Sequence, residues 1–138
     1  MILALNLTLM KLFVLIGLLL PFSLLSQLSI QSISVENQSN PIGIGVSAPR
    51  FSWKLSSLSR NESQSAYSIQ VFTGKRQVWN SGKINSSSSL FIPYAGEKLQ
   101  SNSTYSAKIQ VWNRVGKPSK IVSTSFSTAL LNKEDWKA

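Results

Sequence analysis

Leu99-Gln-Ser-Asn-Ser-Thr-Tyr105-Ser-Ala-Lys-Ile109-Gln-Val111-Trp112-Asn113-Arg-Val-Gly116 reads as a corner, then a half-buried strand, then a turn. Tyr105, Ala107, Ile109 and Val111 share one face, while Ser106, Lys108 and Gln110 share the other. That period of two belongs to a strand with one wet side. A tyrosine opening such a strand, six residues after Leu99, marks a corner in which the phenol bonds back to upstream backbone. The unit predicts a small two-sheet β-sandwich, an object suited to holding, spacing or binding.

Working outward, the same alternation recurs. Ile30–Val35 gives a short first strand whose register is ambiguous. Arg50–Leu55 turns Phe51, Trp53 and Leu55 one way, and Ser65–Phe72 turns Tyr67, Ile69 and Val71 one way. Arg76–Asn80 follows the turn Thr73-Gly74-Lys75. Leu90–Tyr94 is an edge strand, because Pro93 has no N–H to give a ladder. Lys120–Thr128 closes the series with Val122, Thr124 and Phe126 on one face. About seven strands at this spacing predict an all-β sandwich over residues 27–131. Its core is expected to hold Phe51, Trp53, Tyr67, Ile69, Val71, Leu99, Tyr105, Ile109, Val111 and Phe126.

Residues 1–26 read differently. One basic residue, Lys11, precedes the unbroken apolar run Leu12–Leu25, and Pro21 stands near its end. This is the build of a helical secretory signal peptide cleaved near Ser26, and it predicts a secreted or periplasmic product. The membrane then enters only through the leader during export. The alternative is an uncleaved anchor reaching back through Leu7–Met10, although Leu12–Leu25 alone is shorter than the roughly 20 residues of a spanning helix.

Without the leader, 13 basic side chains face 5 acidic ones, a net charge of +8. The lysines and arginines are dispersed, with only Lys75-Arg76 adjacent, whereas nucleic-acid binders gather such charge on one face. A solvated surface is expected and nucleic acid is not. The chain has no cysteine and no histidine, which removes a disulfide framework, zinc sites of ordinary type, and triads or dyads built on those residues. No metal and no cofactor is expected. Asn37, Asn61, Asn85 and Asn102 lie in Asn-x-Ser/Thr sequons, which become glycan acceptors only in a eukaryotic host.

Six short motifs then occur in order. They are Asn40-Pro41-Ile-Gly43-Ile, Pro49-Arg50-Phe51-Ser52-Trp53, Gln64-Ser65-Ala66-Tyr67-Ser-Ile69-Gln70-Val71, Val78-Trp79-Asn80-Ser81-Gly82-Lys83, Val111-Trp112-Asn113 and Glu134-Asp135-Trp136-Lys137-Ala138. The Trp53 strand, the Tyr67-Ile69-Val71 strand and the series Leu99…Tyr105…Val111-x-Asn113-x-x-Gly116-x-x-Ser119 resemble a fibronectin type III domain. More narrowly, the six motifs resemble the N-terminal immunoglobulin/fibronectin-like domain that opens bacterial α-L-rhamnosidases, over residues 28–138. The resemblance implies a module that precedes further β-domains and an (α/α)₆ barrel carrying acidic catalytic residues. No residue here stands at a position that could receive a catalytic role from that barrel. The expectation is therefore a leader, a first module, and at 132–138 the start of a linker into a following domain: a non-catalytic fragment of the enzyme. Its implied partners are those following domains.

The residues themselves agree on catalysis. Glycoside hydrolysis needs two carboxyl groups about 5–10 Å apart, one with a raised pKa. Glu36, Glu62 and Glu97 fall in separate polar segments, and Glu134-Asp135 are tail neighbours, so surface acids are expected. Aromatic side chains are the remaining candidates for ligand chemistry. Trp79 and Trp112 are read as glycan or domain contacts, with core packing the alternative at Trp79 and covering the sheet's second face the alternative at Trp112. The place of Trp136 in the resemblance, just past the last strand, implies a docking residue for a following domain. A stand-alone secreted carbohydrate-binding or adhesion module is the competing function.

Overall fold

The computed structural model describes residues 27–137. Seven strands run through them: β1 (Ser29–Val35), β2 (Arg50–Ser56), β3 (Gln64–Thr73), β4 (Arg76–Asn80), β5 (Ile92–Pro93), β6 (Thr104–Asn113) and β7 (Val122–Ser127). A single 3₁₀ turn, Lys133–Asp135, follows β7. The strands form two antiparallel sheets, one of order β1-β2-β5 and one of order β4-β3-β6-β7. The signal peptide expected over residues 1–26 lies outside the described residues.

Alternation puts one side of each sheet into a shared core. Phe51, Trp53, Tyr67, Ile69, Val71, Leu99, Tyr105, Ile109, Val111 and Phe126 are all buried there. Aromatic rings bridge the layers, Phe51 meeting Phe126 edge-on at 5.8 Å and Trp53 meeting Tyr67 edge-on at 5.3 Å, while Tyr105 stacks on its ladder partner Phe126 within one sheet at 5.4 Å. Such offset and edge contacts add to the area term because ring quadrupoles favour them.

Three buried polar groups organise the connections. The Trp53 indole Nε1 donates to Gln64 Oε1 at 2.8 Å, and Gln64 Nε2 donates onward to the carbonyls of Ser86 and Ser88. One glutamine thus secures the serine-rich crossover to the core tryptophan. Asn113 Oδ1 accepts from the backbone N–H groups of Val115 and Lys117 and closes the turn after β6. At the other end of β6, the Gln100 N–H donates to Tyr105 Oη at 2.8 Å, which is the corner. A Tyr105→Phe substitution keeps the ring and removes this bond. It is expected to cost about 1 kcal/mol, read as a lower urea midpoint at unchanged slope.

Two strands differ from the expectation. In β1 the ladder slips between Ile30 and Ser32, so Ile30 pairs with Leu55 and Ile33 with Trp53. The bulge puts two isoleucines three apart onto one inner face, which a strict period of two cannot show. The expected strand Leu90–Tyr94 shrinks to Ile92–Pro93. Phe51 pairs with Ile92 and the Trp53 N–H bonds Ser89 O, so Leu90 and Phe91 stand opposite Ser52 as extra residues. Phe91 takes a left-handed φ of 55° and its N–H donates to Ser52 Oγ.

Candidate functional site

The three tryptophans read as contact residues fall in three different places. Trp79 pairs with Val71 across the β3–β4 ladder and so faces the interior at the sheet edge. Its ring lies 6.2 Å from Phe51 of the opposite sheet and meets Tyr94 edge-on at 5.2 Å. Trp79 is therefore a half-buried wall of the core. The segment that covers it is held by Tyr94 Oη donating to Glu97 O at 2.6 Å and by the Glu97 N–H donating to Val78 O. Burial pushes the Tyr94 phenol up to about 12.

Trp112 lies on the outer face of the four-stranded sheet, in phase with Lys108 and Gln110. Lys83 Nζ stands 4.8 Å over its ring, and Lys108 Nζ stands 5.0 Å over the ring of Phe72 on the same face. Both outer aromatics thus carry an ammonium where a sugar C–H face would stack. A glycan at Trp112 would have to displace Lys83. Trp136 is exposed beyond the last 3₁₀ turn.

The outer face of the three-stranded sheet carries a concavity of about 350 Å³, lined by Ser32, Ser34, Asn37, Ser39, Ser52, Lys54 and Leu90. Sequence reasoning missed it, because Leu90 reaches its rim only through the two-residue bulge. Beside it Arg50 pairs with Glu36, Nε to Oε1 at 3.1 Å and Nη2 to Oε2 at 3.0 Å, and stacks on Phe91 at 5.2 Å.

Two of the carboxylates, Glu36 and Asp135, are tied into the structure by hydrogen bonds. Hydrogen bonding to Arg50 holds Glu36 below the usual carboxylate range, and hydrogen bonds from Ser101 and Asn132 do the same for Asp135. A general acid needs the opposite shift. Glu97 pairs with Arg76 at 2.6 Å on the surface. Among the described residues no group of three potential metal ligands comes together.

This architecture has close counterparts. The family description "Rha78A-like, N-terminal immunoglobulin domain" fits residues 30–132. An α-L-rhamnosidase of Streptomyces avermitilis is 33% identical over 120 residues, covering 83% of this chain and 12% of that protein. The crystal structure of a Streptomyces avermitilis α-L-rhamnosidase complexed with L-rhamnose superposes with a TM-score of 0.77 at 32% identity, covering 80% of this chain and 11% of that one. The α-L-rhamnosidase from Dictyoglumus thermophilum gives 0.75 at 35% identity, covering 80% and 13%. The chain spans about 12% of the length of the curated relatives it matches, and the part matched is their non-catalytic N-terminal immunoglobulin domain. The chain belongs to the family of Rha78A-like N-terminal immunoglobulin domains.

Proposed function

We propose that this chain is the non-catalytic N-terminal module of a secreted α-L-rhamnosidase-like glycoside hydrolase, exported by the leader at residues 1–26 and working by packing against the domains that follow. The observation that carries the reading is the match itself, confined to about 12% of relatives that are α-L-rhamnosidases. The chemistry of the acids supports it. Glu36 and Asp135 are held as anions by neighbouring donors, so neither is poised to protonate a leaving group. The lysine-capped Trp112 and the core-packed Trp79 lend no open indole face to the competing glycan-binding reading.

Genomic DNA immediately past codon 138 is expected to continue in frame, or to resume nearby, into an acidic barrel. Residues 27–138 alone are expected to release no rhamnose from an aryl rhamnoside and to stay silent on a glycan array. Rhamnose release above buffer, or glycan binding lost on Trp112→Ala, would overturn the proposal.

A further inference from the structure

We infer that the module docks onto the next domain of the same polypeptide through one pole, formed by Ile42 and Val46 of the β1–β2 loop together with Leu130 and Trp136 beyond β7. This rests on the reading above and adds the surface to it. Single exposed apolar side chains are ordinary on a domain. Here four stand on segments tied to one another: Ile42 is 92% exposed, Val46 41%, Leu130 38% and Trp136 71%.

The ties are specific. Ile44 and Thr128 form a parallel bridge, with the Ile44 N–H donating to Ser127 O and the Ala129 N–H donating to Ile44 O. Val46 and Leu130 are each two residues past that bridge on their own segments. Ile42 is two residues before it, beside Pro41, whose carbonyl accepts from the Ser127 N–H. Thus the loop is sewn to the end of β7, and Ile44 fills the core while its neighbours Ile42 and Val46 do not.

The segment after β7 is ordered with equal care. Ser101 Oγ accepts from the Leu131 N–H at 2.7 Å and donates to the Asp135 carboxylate, which also accepts from Asn132 Nδ2 at 2.9 Å. The 3₁₀ turn these bonds hold buries none of its own residues, and it delivers Trp136 into solvent. Ordering a backbone turn costs conformational entropy that something must offset. A turn that covers no core of its own, at the end from which the longer relatives continue, is organised for a surface outside the domain. The occupant is therefore the following domain, meeting this pole with an apolar patch.

The test grafts residues 27–137 in place of the matched domain of the Streptomyces avermitilis enzyme and compares amide exchange with that of the free chain. Amides of 42–46 and 129–137 are expected to exchange about tenfold more slowly in the graft. The double variant Ile42→Asp/Trp136→Asp should return them to the free-chain rate without moving the free chain's own urea midpoint. Protection falling instead on Ser32–Ser34 and Leu90–Phe91, or around Trp112, would overturn this surface and leave the accessory reading intact. Absence of protection anywhere would remove both.

Discussion

Trp53→Ala is expected to lower the unfolding free energy by about 3–5 kcal/mol, the usual range for emptying a large aromatic site in a core. The ring is almost fully buried and packs edge-on against Tyr67 at 5.3 Å, so its loss leaves a cavity between the sheets. The polar consequence adds to the apolar one. Gln64 is itself buried and gives both amide hydrogens to Ser86 O and Ser88 O, so its Oε1 has the Trp53 indole as its partner. Without that donor a buried carbonyl is left unsatisfied, at about 1–3 kcal/mol. Small domains hold about 5–15 kcal/mol in all, so the alanine variant should lose a large share of its stability. Trp53→Phe separates the two effects, keeping much of the ring volume while deleting the N–H, and should fall between. Urea midpoints of the three proteins at equal slope check the order. An alanine variant within about 1 kcal/mol of the parent would show that the indole is not the link between core and crossover.

How much of this was readable beforehand depends on the distance over which each residue acts. Strands β2, β3, β6 and β7 announce themselves because their inward residues alternate locally, and the Tyr105 corner because tyrosine, leucine and the bonded backbone lie within seven residues. Ile30 and Ile33 were ambiguous because the bulge that puts both inside is a property of pairing with β2, not of β1 alone. Gln64 falls just outside the expected strand Ser65–Phe72, and its role depends on Trp53 and on a serine run more than 20 residues away. Likewise Trp79 carries two readings in the sequence, and the Tyr94–Glu97 segment that covers it decides for the core.

The exposed pole was invisible for the same reason. Ile42 sits in an Asn-, Pro- and Gly-rich stretch that reads only as loop, and nothing local places it beside the chain end. A parallel bridge between residues 84 apart does that, Ile44 to Thr128. Trp136 differs in being singled out by its place in the family resemblance, and the structure leaves it exposed. Its place on a hydrogen-bonded turn anchored to Ser101 makes it a fixed projection rather than a loose tail.

Gly96→Ala is expected to cost about 1–3 kcal/mol, the range for overpacking, with the upper end favoured by the nature of the obstacles. A Cβ at Gly96 would lie 2.6 Å from Tyr94 Oη and 2.6 Å from Val78 O, and closer still to Trp79 Cβ. None of these is the free end of a flexible side chain. Val78 O belongs to β4 and already accepts from the Glu97 N–H, Trp79 Cβ is fixed to the β4 backbone, and Tyr94 Oη is committed to Glu97 O. The only relief is for the Tyr94–Glu97 segment to lift away from β4, which breaks those bonds and opens the edge contact between Trp79 and Tyr94. Gly45→Ala is the matched control: a Cβ there meets nothing within 4 Å and the backbone is not left-handed, so its effect should stay within about 0.5 kcal/mol. Alkaline absorbance titration supplies a readout that mere loss of stability does not. The Tyr94 phenol, held up to about 12 by burial, should ionise nearer to 10 once the segment lifts. Equal midpoints for the two alanine variants, with the phenol titration unchanged, would mean that this segment yields freely and that Trp79 is not locked beneath it.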